Sequence, residues 1–111
     1  MDEILLEVEK LKDKILDSKE YKSFIESRDK LDNNKDINEI IEKIKSEQKK
    51  LINKEDNNED TTLEEIKLKS LYSELNNFDD YNTYIENARI LNDLITNIQK
   101  RFEEYFSSLI M

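Results

Sequence analysis

Among its 111 residues the sequence contains no glycine, proline, cysteine, histidine or tryptophan. Each absence closes a class of chemistry. Without glycine and proline there are no phosphate-cradling loops, tight hairpin turns or sharply bent catalytic elbows, and only helices joined by short Asn, Asp, Ser and Lys connections fit. Without cysteine there is no disulfide, thiolate nucleophile or cysteine-ligated cluster, and cysteine usage carries no signal about redox compartment. Without histidine the usual acid-base catalyst and the commonest metal ligand are missing. Long hydrophobic runs are lacking too, and none approaches the roughly 18 to 20 residues that span a bilayer. The opening MDEILLEVEKLKDKI alternates charge with apolar residues and has no basic leader, so a signal peptide is not expected and the protein is expected to be cytoplasmic.

Charge is plentiful. Charged residues make up 41% of the chain with a net charge of -9, which opposes contact with phosphate backbones and anionic lipid, so neither direct nucleic-acid binding nor membrane binding is expected. The hydrophobic share of 36% is lean for a self-sufficient core at this length. A single domain over residues 1–111 that completes its burial against another chain follows from that balance.

Apolar periodicity predicts an all-α fold, an antiparallel bundle of about five helices with a long C-terminal helix, and an oligomer. The first helix is expected from Asp2 to Asp17, with Leu5, Val8, Leu11, Ile15 and Leu16 on one side. Asp17-Ser18 offers an N-cap for a second helix from about Lys19, striped by Tyr21, Phe24, Ile25 and Leu31, although serine is tolerated inside helices too and the residues leave open whether the first two helices break there or merge with a bend. Asp32 to Lys35 is a polar connector. Asp36 with Glu39 then reads as a capping box for a third helix from Ile37 to Lys54, whose four-three seam (Ile37, Ile41, Ile44, Gln48, Leu51) has one polar member. Glu55 to Asp60 reads as a loop, and Thr62 with Glu65 as a second capping box. The fourth helix, Leu63 to Leu75, is expected to turn Leu63, Ile66, Leu71, Tyr72 and Leu75 inward and Leu68 outward. Asn76-Asn77 is expected to end it in the left-handed conformation, with Asp79 as the cap of the last helix.

That last helix organises the chain. Tyr84, Ala88, Leu91, Ile95, Ile98, Phe102, Tyr105 and Leu109 recur at alternating intervals of four and three, a heptad seam. Tyr81, Ile85, Leu94, Phe106 and Ile110 widen it beyond what a two-stranded zipper needs. The eight seam positions are the candidate partner-binding residues. A faint echo at an offset of sixty positions relates Tyr21, Phe24, Ile25 and Leu31 to Tyr81, Tyr84, Ile85 and Leu91.

Reactive constellations fare poorly. Asp56, Asn58 and Asp60 match positions one, three and five of a calcium loop, but Thr61 stands where glycine is required and Lys67 where a bidentate Glu should close the site. No spacing singles out a catalytic pair among 27 acids, so neither an enzyme nor a cofactor is expected. Lys43, Lys45, Lys49, Lys50 and Lys54 make the best case for an RNA contact, yet Glu39, Glu42, Glu47 and Glu55 are interleaved with them.

Three features together resemble the YlbF/YmcA family of small bacterial helical proteins. They are Ser18-Lys-Glu-Tyr21-x-x-Phe24 after the first helix, the Asp36-Ile37 opening of a long helix, and Asn76-Asn77 leading into Tyr81, Tyr84, Leu91 and Leu94-Ile95. The resemblance implies a regulatory adaptor that associates with itself or with sibling proteins, linked to competence, sporulation and biofilm formation. It extends to a complex that stimulates RNase Y in messenger RNA maturation. Phe78 replaces the proline that often precedes the last helix in this family, and the cysteines some members use for iron-sulfur binding have no counterpart. A structural or chaperone-like helical oligomer needs the same apolar faces.

Overall fold

The computed structural model describes residues 2–111. Five helices follow one another: α1 (Glu3–Leu16), α2 (Lys19–Asp32), α3 (Lys35–Asp56), α4 (Thr62–Leu75) and α5 (Asp79–Ile110). Among the described residues there is no strand. Their contacts gather into two compact units, one made of the chain up to Arg28 with Tyr84–Met111, the other of Asp29–Thr83.

Helix ends are set by polar side chains. Asp2 accepts from the Ile4 N–H at 2.7 Å, and Ser18 Oγ accepts from the Tyr21 N–H at 3.2 Å, so α1 and α2 are separate helices. Three boundaries differ from the sequence reading. The cap of α3 is Asn34, whose side chain accepts from the Ile37 N–H at 3.1 Å, and Asp36 lies inside the first turn. At α4 the backbone N–H of Thr62 donates to Asp60 at 3.1 Å, while Thr61 Oγ1 donates to Glu65. No left-handed residue follows α4, because Asn76 stays right-handed, and α5 begins at Asp79 itself.

The acidic stretch is shorter as a loop than as a sequence. α3 continues through Glu55 and Asp56, and the reversal falls on Asn57 and Asn58. Asn58 takes φ 56°, the left-handed position at a helix end. Its N–H donates to Glu55 O, and the Glu59 N–H donates to Lys54 O at 2.8 Å, the pair of bonds that closes a Schellman end.

In the Asp29–Thr83 unit, α3 and α4 form an antiparallel hairpin. Lys54 meets Glu64, and Gln48 meets Tyr72 at 3.0 Å, so partner numbers rise as the others fall. Gln48, the polar member of the α3 seam, is therefore spent on α4. The core is Leu31, Ile37, Ile40, Ile44, Leu68 and Leu75, with Ile37 and Leu75 the most deeply buried.

The inward face of α4 departs from the expected one in part: Leu75 is buried and Leu71 half-buried as expected, but Tyr72 is partly open. Leu68 is buried, whereas Leu63 and Ile66 are 56% and 60% exposed. α4 carries apolar residues on two opposite faces, and Leu68, Leu71 and Leu75 make a four-three seam of their own. The fourth member of that phase is Glu64, which can be buried because Lys54 reaches it from α3. Leu75→Ala and Leu68→Ala should each lower unfolding free energy by about 2–5 kcal/mol, against within about 0.5 kcal/mol for Ile66→Ser. Urea denaturation decides this, and an Ile66→Ser loss equal to that of Leu68→Ala would overturn the assigned face.

Candidate docking surface

The other unit holds α1, the first part of α2 and α5 from Tyr84 onward. α2 and α5 meet through a side-chain hydrogen bond and a ring pair. Ser27 is buried and its hydroxyl donates to Phe24 O at 2.9 Å, while the Asn87 amide donates to Ser23 O at 3.2 Å. The rings of Phe24 and Tyr84 lie 5.5 Å apart, centre to centre. These two residues are partners in the sixty-position echo.

Along α5 the eight seam residues divide by depth. Tyr84 and Ala88 are half-buried and Leu91 is buried. Ile95 lies just on the exposed side and Ile98 is half-buried. From Phe102 onward every residue is exposed, including Phe102, Tyr105 and Leu109 of the seam and Phe106 and Ile110 beside it. Phe102 and Phe106 stack on each other at 5.8 Å. On α1 no residue is buried, and Ile4, Leu5 and Val8 stand open as well. The apolar stripe of α1 was visible in the sequence; that Leu11 and Ile15 are half-buried while Leu5, Val8 and Leu16 stay open was not, because periodicity shows which side of a helix is apolar and not what lies against it.

Polar groups elsewhere are largely satisfied within the chain. Of the five α3 lysines, Lys45 pairs with Glu42, Lys50 with Glu47 and Lys54 with Glu64, which removes much of the field an RNA backbone would need. Arg89 bridges Glu86 and Asp93 on the outer side of α5. Among the described residues, no group of three or more acidic, His or Cys side chains converges as a metal site, and no helix is long and apolar enough to cross a membrane. One surface hollow lies between Lys43 and Glu47 of α3 and Lys67, Ser70 and Leu71 of α4, another between Lys19, Glu20 and Ser23 of α2 and Asn87 and Ile90 of α5.

The pair at the hairpin end is the electrostatic feature with the clearest consequence. Lys54 Nζ donates to both carboxylate oxygens of Glu64, at 3.0 and 2.9 Å. This hydrogen bonding holds the Glu64 carboxyl below its ordinary value and the Lys54 ammonium above its own. A carboxylate whose folded value is depressed stabilises the fold at pH above its unfolded value and loses that contribution as pH falls through the folded one. Thermal stability should therefore drop on acidification below pH about 4.5, and Glu64→Gln should be less stable at neutral pH with a flatter acid limb. Melting curves from pH 7 to 3 test this; parallel curves for the two proteins would exclude Glu64 as a source.

Five helices, no strand among the described residues and an exposed apolar helix face define a small all-α protein. The chain belongs to the YlbF/YmcA family: the family model described as control of competence regulator ComK, YlbF/YmcA, matches residues 4–105. No functionally curated protein matches the sequence. The family is a regulatory one.

Proposed function

We propose that this protein is a non-enzymatic regulatory adaptor of the cytoplasm, which assembles with itself or a sibling chain through α5 and presents its acidic outer surface to a protein partner. The observation that carries this reading is the seam of α5, buried at Leu91 and open from Phe102 onward. An apolar aromatic strip of that kind is what protein interfaces use at their centres. Family membership supplies the regulatory context and extends the reading to RNase Y-dependent messenger RNA maturation, with its links to competence, sporulation and biofilm formation.

Direct RNA binding is the weaker alternative. Three of the five lysines it would rely on are occupied by the chain's own acids.

The test is capture of the tagged protein from its native cytoplasm, with and without nuclease, and identification of co-purifying proteins by mass spectrometry. The adaptor reading expects RNase Y or sibling family chains at undiminished yield after nuclease. Loss of every partner on nuclease treatment would transfer the function to RNA, and recovery of this chain alone would remove the RNA-processing role.

A further inference from the structure

Acids and open apolar side chains coincide in the first two turns of α1. Ile4, Leu5 and Val8 are 73%, 56% and 53% exposed. Residues 2–9 carry four acids, Asp2, Glu3, Glu7 and Glu9, and no cation. Glu7 meets Lys10 at 2.9 Å, while Glu3 and Glu9 form no ion pair with another described residue.

Helix geometry arranges them. At about 100° per residue, Ile4, Val8 and Leu5 occupy one sector of the helix, with Glu3 and Glu7 along one border and Glu9 along the other. The sector runs on through Leu11 and Ile15, which are half-buried. The strip is therefore the uncovered end of a face that the fold has already put to use.

Elsewhere the two properties are separate. α2 and α3 balance their charges, with four side chains of each sign in the first and six in the second. The end of α5 is apolar, but from Ile98 to Met111 two acids are matched by two cations. Residues 55–65 are more acidic, yet they hold one large apolar side chain, Leu63, and Glu64 among their acids is taken by Lys54. The outward stripe of Leu63 and Ile66 passes at once into Ser70 and Ser73.

Charge decides what covers the α1 strip. A second copy laid on it in parallel sets four acids against four. Turned antiparallel, that copy offers Lys10, Lys12 and Lys14, but the apolar residues beside them, Leu11 and Ile15, are already partly covered in its own fold. Nucleic acid and anionic lipid are repelled. The complement is an apolar stripe bordered by cations on both sides, which a basic amphipathic helix presents.

We propose that the first two turns of α1 are a docking face for a basic amphipathic helix of a different protein, whose apolar stripe covers Ile4, Leu5 and Val8 and whose cations meet Glu3, Glu7 and Glu9. This rests on the adaptor reading and deepens it, by locating the partner on the acidic surface and naming the chemistry it carries.

The probe is a labelled helical peptide of about 18 residues made of Leu, Ala and Lys, with leucine at alternating intervals of four and three. Its twin carries Glu for every Lys. Each is titrated with the full chain by fluorescence anisotropy. The basic peptide should bind and the twin should not, and added salt should weaken binding. Glu3→Lys with Glu9→Lys should weaken it at least about tenfold, and Ile4→Ser with Val8→Ser should weaken it at high salt as well as low. Glu55→Lys with Glu59→Lys, the same change of charge at the hairpin turn, should leave affinity within about twofold. All six substituted residues are exposed, so circular dichroism and melting should match the parent. A basic peptide that does not bind overturns the face, as does equal binding of the twin. A loss from the hairpin variant equal to that from the α1 variant overturns it too, since the attraction would then belong to the acidic chain as a whole. A dimer in sedimentation velocity that Ile4→Ser with Val8→Ser turns into a monomer overturns it in favour of a second copy. Protein partners still captured at full yield by that apolar variant leave the adaptor reading standing without this face; a peptide that binds as expected while nothing is captured from the cytoplasm does the opposite.

Discussion

A chain without glycine or proline must turn corners with side chains. Every reversal in this protein is therefore made by a short polar residue that satisfies backbone groups a regular helix leaves open. Asn34 caps α3, Asn58 supplies the left-handed residue after it, and Ser18 separates α1 from α2. The fourth residue of α3, Asn38, donates its amide to Asp32 O at the end of α2, and the fourth residue of α5, Asn82, donates to Asn76 O after α4, both at 2.8 Å. The same clasp is used twice, and it sets the direction in which each following helix leaves.

How far these features can be read from the sequence depends on what decides them. The helical segments and the long final helix follow from apolar spacing and missing breakers, which are local properties, whereas the break at Ser18 was decided only by the Ser18 cap on the Tyr21 N–H, since serine is tolerated inside helices too. The caps of α3 and α4 fall at Asn34 and Thr61, two and one positions before the expected Asp36 and Thr62, because Asn, Asp and Thr neighbours compete for the same role and only geometry selects among them. The inward face of α4 was misread in part, for a different reason. Two apolar phases coexist on that helix, and the choice between them is made by Lys54, a residue on another helix that renders Glu64 buriable. Gln48 is a similar case, since its use was fixed by the hydroxyl of Tyr72 across the hairpin.

The seam of α5 was fully legible as a periodicity, yet periodicity alone treats Tyr84 and Leu109 as equivalent. The fold distinguishes them: Phe24 lies against the first, and the second is left largely exposed. A lean hydrophobic content was the one sequence signal that some apolar surface would remain uncovered. Its placement on α1 and the end of α5 depends on which helix faces the fold covers, which no single helix records. In a regulatory family, surface left over after the core is made is the raw material of recognition, and the acidic remainder keeps such a protein dispersed while that strip stays exposed.

The contacts also differ in how long the chain must wait to make them. Lys54 and Glu64 are ten residues apart and Gln48 and Tyr72 twenty-four, so the α3–α4 hairpin closes from local contacts. The Asn87–Ser23 bond spans sixty-four. At ribosomal rates of roughly 5–20 residues per second, α2 emerges about 3 to 13 seconds before its α5 counterpart exists. During that interval Phe24 and the apolar side of α1 have no α5 to pack against, so the unit that carries the exposed apolar strip is also the one that waits longest for its contacts at synthesis.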